Sequence, residues 1–417
     1  MGDGVTHQDN VSADIMDRLD RMAEISESKK HLTRRCFTPQ HRQVITLVSG
    51  WMRDAGMKVW EDATGNLMGR YEGTDDKAPA ILLGSHLDSV VKAGKYDGPL
   101  GILAAIDCVK ALNIRNARLK NPIEVACFTD EEGVRFQSTY LGSRGIAGTF
   151  DFNLLNRADK DDITLAEAMT DFGLDTDRIG EAARQKGDFL CYLEVHIEQG
   201  PVLESEDLAV CAVTAIAGAD RMTVTATGKA GHAGTVPMGA RQDALAAAAE
   251  CVLTVEEVAA AHPYAVGTVG QIEAEHGATN VIPGKVVFSV DFRAADDAVR
   301  REAVNDLTKR FEDIANRRNV DIVLEQSHSA DGVTSAPWIV DAIEDAMTDL
   351  GHRPFKLPSG AGHDAAALAE ITDVGMIFVR CKDGISHNPD ESITREDAIA
   401  GAELLLRTVE RIGGLET

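Results

Sequence analysis

Apolar positions along the chain follow two rhythms. Between residues 11 and 28, Ile15, Leu19, Met22 and Ile25 recur at helical spacing, and Ser12 stands where a capping residue belongs. Thr38-Pro39 opens a second helix through Val44, Leu47, Val48, Trp51 and Met52, which Gly56 stops. The rhythm then changes. Val59 to Tyr71, with Gly65-Asn66 inside it, reads as a hairpin, and Ala80 to Leu83 reads as a short buried strand ending at Gly84. A helix is expected from about Leu100, carrying Ile102, Ile106, Val109 and Leu112. Further apolar runs at Ile123 to Thr129, from Phe189 onward and at Val374 to Val379 read as buried strands. Helices are expected near 165–172, 336–350 and 395–412. Strands and helices in this order indicate an α/β sheet.

The pattern between about Ala215 and 331 is of another kind. A strand at Arg221 to Thr227 leads through the glycine-rich turn Gly228 to Gly234 into an alanine-rich helix, Arg241 to Ala261. Strands at Ala265 to Ala274 and Lys285 to Ala294, a helix at Ala298 to Arg318 and a strand at Val320 to Glu325 follow. That β-α-β-β-α-β order predicts a ferredoxin-like α+β domain inserted into the first. The expected organisation is therefore a mixed-sheet α/β domain over 1–214 and 332–417, with an insert over 215–331.

Composition narrows the function classes. The 417 residues, 44% hydrophobic, suffice for more than one core, and a net charge of −25 argues against nucleic acid or an anionic membrane as partner. Seven cysteines are scattered without a C-x-x-C pair, which suggests small core residues in a reducing cytoplasm. No run of about 18 apolar residues occurs, and MGDGVTHQDN has no signal-peptide pattern. Met1-Gly2 with Thr6 matches a loose N-myristoylation pattern, but the polybasic support that a single acyl chain needs is missing. A cytoplasmic, soluble protein is expected.

The chemistry lies where the apolar runs stop. His86, Asp88 and Asp97 follow the first buried strand: an imidazole for a metal, a carboxylate able to accept that ring's other N–H, and a carboxylate able to bridge two cations. Asp130-Glu131-Glu132 follows the second. Three consecutive acids there repel one another unless something cationic sits among them, and adjacent carboxylates can divide the labour between ligand and general base. His196 ends the third, with Glu198 and Gln199 beside it, and His387 follows the strand at Val374. His363, in a glycine loop, could either join them or hydrogen-bond its loop. The insert contributes Arg221, His232, Asn280 and Arg293 as polar features.

The segments GSHLDS, GKYDGPLG, TDEEGVRF, HIEQGPVLE, GHAGTVPM, SGAGHDA and GISHNPDES resemble the motifs of the M20 metallopeptidase-like amidohydrolases. The likeness is to the branch of allantoate amidohydrolases, N-carbamoyl-L-amino-acid hydrolases and β-ureidopropionases, and it spans essentially the whole chain. It implies that His86, Asp97 and His196 hold one divalent metal and that Asp97, Glu132 and His387 hold the other. Zinc, manganese or cobalt would each suit such donors. It also implies that Glu131 is the general base and that the insert is a lid and dimerisation domain. His232 would then reach a neighbouring subunit's site, and Arg221, Asn280 and Arg293 would grip a substrate carboxylate. Related peptidases place a carboxylate where His196 stands, so histidine favours the amidohydrolase branch. GTVPM replaces the GTTPM of many relatives, which weakens any hydroxyl role at that position.

These roles make chemical sense. A divalent pair carries more positive charge than Asp97 and Glu132 neutralise, which would acidify a water whose proton Glu131 takes as a ureido carbonyl is attacked. His232 would steady the oxyanion, and Glu131 would pass its proton to departing ammonia. Within the branch, SVVKAGKYDGPLGILAAI and FVRCKDGISHNPDES are most similar to bacterial allantoate amidohydrolases. The expected reaction is hydrolysis of allantoate to ureidoglycine, ammonia and CO2 by a homodimer in purine-nitrogen recovery. An N-carbamoyl-L-amino-acid hydrolase or β-ureidopropionase is the alternative in kind, and an inactive metal-binding interaction protein on the same fold is the alternative in class.

Overall fold

The computed structural model describes residues 12–415. The Met1-Gly2 and Thr6 pattern lies outside them. In chain order the strands are β1 (Lys58–Glu61), β2 (Leu67–Tyr71), β3 (Ala80–His86), β4 (Ile123–Phe128), β5 (Phe189–Ile197), β6 (Val210–Ile216), β7 (Gly218–Thr227), β8 (Gly231–His232), β9 (Ala265–Thr268), β10 (Ile272–Ala274), β11 (Val281–Ile282), β12 (Lys285–Ala294), β13 (Asp321–Ala330), β14 (Val333–Thr334), β15 (Lys356–Ser359) and β16 (Val374–Val379). The helices are α1 (Ile15–Ala23), α2 (Pro39–Asp54), α3 (Pro99–Ile114), α4 (Leu141–Ala147), α5 (Leu165–Phe172), α6 (Val202–Ser205), α7 (Ala244–Ala260), α8 (Asp297–Arg318), α9 (Pro337–Asp349), α10 (Ala365–Leu368) and α11 (Arg395–Ile412).

Packing divides the chain into two compact units. One holds the described residues up to Thr214, Ser335–Leu357 and the described residues from His363 on; the other holds Ala215–Thr334 and Pro358–Gly362. The first is built on a mixed sheet in the order β1-β2-β4-β3-β5-β16-β6. Its middle strands β4, β3, β5 and β16 run parallel. The flanking β1, β2 and β6 are antiparallel to their neighbours. Every residue of β3, β4 and β16 is buried, which is why these strands read as unbroken apolar runs rather than alternating ones. Helices α3 and α11 pack on this sheet and on each other, closing one large core.

Two local expectations fail for physical reasons. Gly84 does not end β3: a Cβ there would stand 2.2 Å from the Ala126 carbonyl oxygen, so glycine lets β3 and β4 close together while the strand continues to His86. Ser12 does not cap α1. The N-cap position falls to Asp14 without a side-chain bond, and the Ser12 hydroxyl donates to buried Asp107, which Arg18 also pairs.

The second unit is antiparallel throughout, in the order β10-β12-β7-β13 with β9 also on β12. Burial alternates strictly along β12. Val286, Phe288, Val290 and Phe292 enter a core with α7 and α8, and Ser289, Asp291 and Arg293 occupy the other face. The strand expected from Ala265 to Ala274 is broken into β9 and β10, and β13 runs past its expected end at Glu325, through a bulge after Gln326. All seven cysteines are buried and free. Among the described residues no helix is long and apolar enough to cross a membrane.

Candidate metal centre

Four parallel strands point their C-terminal ends at one edge of the first unit's sheet, the edge where α/β proteins bind ligands. His86 is the last residue of β3 and His196 the penultimate residue of β5. Glu131 and Glu132 follow β4, and His387 follows β16. Asp97 stands just before α3. The structure brings all six together, with donor atoms of His86, Asp97 and His196 within 4.8 Å of one another. The same limit holds for Asp97, Glu132 and His387, and for His86, Glu131 and Glu132.

Asp97 is the hub. Its Oδ1 lies 3.3 Å from His86 Nε2 and 3.2 Å from His196 Nε2, and its Oδ2 lies 3.3 Å from His387 Nε2. Glu132 Oε1 lies 3.7 Å from His387 Nε2. The outward nitrogens are committed elsewhere: His86 Nδ1 faces the Asp88 carbonyl at 3.1 Å and His196 Nδ1 the Ile197 carbonyl at 2.9 Å. A carbonyl only accepts, so each Nδ1 carries a proton and each Nε2 is turned inward, toward Asp97. The Asp88 carboxylate does not brace His86 as expected. It stands 3.9 Å from that ring and instead accepts the backbone N–H of Glu131 at 3.1 Å and of Glu132 at 3.2 Å.

Charges in the cluster conflict. Burial works against ionising Asp97, yet His196, His387 and His86 around it hold its carboxyl well below the usual range. The bond to Asp97 lifts His387 to about 9. Burial, with like charge from Asp97, pushes Glu132 up to about 7, and burial with Glu132 and Asp364 pushes Glu131 well above its ordinary value. Imidazole nitrogens and carboxylate oxygens thus face one another at 3.2 to 3.7 Å in a site closed to solvent except at His387. Protons or cations must lie between them, and two donors each about 2.0–2.2 Å from a shared cation would stand this far apart. Imidazole and carboxylate donors with fixed tautomers fit a divalent pair, Asp97 being common to both halves.

Several neighbours had no role, or an open one, in the sequence. Gln199 donates through Nε2 to Asp97 Oδ2 at 2.7 Å and leaves its buried Oε1 without a partner, and Ser386 lies 2.8 Å from the same Asp97 oxygen. Both stand within three residues of a ligand candidate inside the quoted motifs, HIEQG and ISHN, which was the available signal. Glu194, two residues before His196 and so on its side of β5, has donor atoms within 4.8 Å of His196 and His363. His363 is buried, its ring 4.5 Å from that of His196.

The remaining candidates lie in the second unit, in two groups. Register places Asp291 of β12 opposite Arg221 of β7, and His328 of β13 opposite Arg221. Asp291 accepts from Arg221 Nε at 3.1 Å and from Arg293 Nε and Nη2 at 2.8 and 3.0 Å, and Arg293 Nη1 donates to the Gly360 carbonyl at 2.8 Å. His232 ends β8 and Asn280 stands just before β11, its partner strand; Ala233 N–H donates to the Asn280 carbonyl at 2.9 Å and His232 Nδ1 accepts from Gly234 N–H at 3.0 Å.

The model of Peptidase family M20/M25/M40 matches residues 82–411. The chain is 46% identical over 393 residues to an N-carbamoyl-L-amino acid amidohydrolase of Geobacillus stearothermophilus, covering 93% of this chain and 96% of that one. It is 39% identical over 435 residues to an allantoate deiminase of Arabidopsis thaliana, covering 97% and 83%. Among solved structures, a hydantoinase/carbamoylase family amidase from Burkholderia ambifaria matches with a TM-score of 0.91 at 33% identity, over 98% of this chain and 99% of the other.

Proposed function

The chain belongs to the peptidase family M20/M25/M40 and is an amidohydrolase acting on a carbamoyl or ureido C–N bond, and within that class we propose that it hydrolyses allantoate to ureidoglycine, ammonia and CO2. The observation that carries the reading is the meeting of His86, Asp97, Glu131, Glu132, His196 and His387 at one sheet edge. In this reading His86, Asp97 and His196 hold one divalent cation and Asp97, Glu132 and His387 the other. Manganese or zinc suits the donors, and cobalt is compatible. Such a pair, when bound, supplies Lewis acidity toward a carbonyl and acidifies water.

The chain's own residues do the rest. Glu131, beside the ligand candidates without being needed in either set, takes a proton from water and returns it to the departing ammonia. Arg293, Arg221 and Asn280 grip the substrate carboxylate, a fork of N–H donors fixing the ureido group in place. His232, contributed by the second subunit of a homodimer, steadies the oxyanion. Thr268, Arg221 and His328 stand at neighbouring register positions around Asp291, polar company that suits a second ureido group better than an apolar side chain.

A second reading, hydrolysis of N-carbamoyl-L-amino acids, is favoured by the higher identity to the relative of that name. Ammonia release from allantoate, N-carbamoyl-L-amino acids and 3-ureidopropionate on metal-reconstituted protein separates the two. Allantoate is expected to give the highest kcat/KM; a higher value with an N-carbamoyl amino acid would replace the first reading by the second.

A further inference from the structure

Glu391 is buried in the first unit, 5% exposed, and both its carboxylate oxygens are engaged. Oε1 accepts the backbone N–H of Tyr96 at 2.8 Å and of Asp97 at 3.2 Å, and Oε2 lies 3.0 Å from the Ser386 hydroxyl. The same hydroxyl stands 2.8 Å from Asp97 Oδ2. Room for this contact comes from Gly94, where a Cβ would fall 2.2 Å from the Glu391 Cδ. The turn that carries Ser386 and His387 is closed on itself: Glu391 N–H donates to the Asn388 carbonyl at 3.0 Å and Asp390 N–H to Asn388 Oδ1 at 2.9 Å. His387 is held there in the left-handed region, at φ 54°.

One carboxylate therefore ties together two segments 295 positions apart, each carrying a residue of the same candidate triad. From this geometry we propose that Glu391 is a positioning residue that fixes Asp97 relative to His387 and thereby sets the affinity of the Asp97–Glu132–His387 half of the metal centre. It rests on the two-cation reading above. Glu391 belongs to none of the candidate ligand groups. It acts through the backbone of Asp97 on one side and through Ser386 on the other. Without it, the Tyr96 and Asp97 N–H groups are buried with no acceptor, and the distance between the two ligands is no longer enforced. Partners that orient ligands in this way carry about 10- to 100-fold in metal affinity.

The conservative variant separates positioning from mere filling. In Glu391→Gln, the amide oxygen still accepts from Tyr96 and Asp97, and its NH2 donates to Ser386, whose own proton goes to Asp97. In Glu391→Ala both links are lost. The experiment is stepwise titration of metal-stripped full-length protein with Zn2+ by calorimetry, with zinc per chain measured after equilibrium dialysis. Wild type is expected to bind two ions, and Glu391→Gln to match it within about threefold. Glu391→Ala should lose about 10- to 100-fold in one binding step and clearly less in the other.

Unchanged affinity in Glu391→Ala, or equal losses in both steps, would overturn the proposal. Fewer than two ions on the wild-type chain would instead remove the two-cation reading beneath it. Should Glu391→Ala not fold, Glu391→Asp, charged but too short to reach the Asp97 backbone, and Ser386→Ala carry the same expectation with the same overturning results.

Discussion

At the scale of single residues, Asp88 is what lets Glu131 and Glu132 differ. Its two carboxylate oxygens each accept one of their backbone N–H groups, at 3.1 and 3.2 Å, which pins the peptide between them. The side chains are then free to serve different partners: Glu132 approaches His387, whereas Glu131 belongs to the group with His86 and lies outside both triads that share Asp97. Glu131→Gln keeps size, backbone bonds and both triads but removes the proposed base. It should lower kcat roughly a hundredfold to ten-thousandfold, with two divalent ions per chain still found by atomic emission. Retained turnover in that variant removes Glu131 as the base. The unlike donors at strand ends were legible in the sequence because His, Asp and Glu at the stop of a buried apolar run are costly without a partner. The roles of Asp88 and Glu391 were not. Each acts on a backbone group far away in the chain, and a bond to a carbonyl or an N–H leaves no residue-type signature at its other end.

At the scale of elements, strands buried on both faces and amphipathic helices announced themselves, and weakly patterned pieces did not. The β12 bounds, Lys285 to Ala294, follow from strict alternation, and α2 begins after Thr38 because its hydroxyl accepts the His41 N–H. By contrast α4, LGSRGIA, is too glycine-rich to show a helical preference and is held by packing on β4 and α10. The outer half of β13 is exposed and polar, so nothing apolar marked it. Two element-level predictions follow from particular contacts. On β12, Arg293, which Asp291 and the Gly360 carbonyl hold in place, is proposed to offer charged hydrogen bonds to a substrate carboxylate, and Arg293→Ala should raise KM roughly 10- to 100-fold for substrates that bear one. Substrates with the carboxylate amidated should change little, and an equal rise for both kinds would contradict a carboxylate grip. On α2, His41 is buried in the first turn, its Nδ1 accepting the Phe37 N–H at 3.1 Å and its ring stacked on Phe172. Burial, with Arg34 and Arg42 nearby, lowers it from 6.5 to about 3. Between those values the unfolded chain binds a proton that the folded chain refuses, so stability is whole above about pH 6.5 and falls as pH drops. The loss from this group is at most about 1.4 kcal/mol per pH unit. Melting temperatures from pH 7.5 to 5 should show a shallower acid slope in His41→Asn than in wild type; parallel slopes would assign the acid sensitivity elsewhere.

At the scale of the whole molecule, the proposed machinery is divided between two units with separate cores. In that proposal the residues for cation and proton chemistry come from the first, and those for carboxylate and oxyanion recognition from the second. Such a division allows one chain's second unit to serve another chain's centre, and the proposed role of His232 requires it to do so. In a homodimer with crossed sites, every centre combines Glu131 of one chain with His232 of the other. Two inactive variants can then repair each other. Glu131→Gln and His232→Ala homodimers should each turn over slowly. After mild dissociation and reassociation of an equal mixture, random pairing makes half of the dimers hybrid, each with one centre that has both groups intact, so about a quarter of wild-type activity should return. The recovery has to follow subunit exchange, rising with incubation and staying absent when the dimers are cross-linked before mixing. If His232 serves its own chain, every centre in the mixture lacks one group and no activity returns at any time. A protein that runs as a monomer in sedimentation would exclude the crossed arrangement outright while leaving the Glu131 and Arg293 predictions standing, since those draw on residues of a single chain.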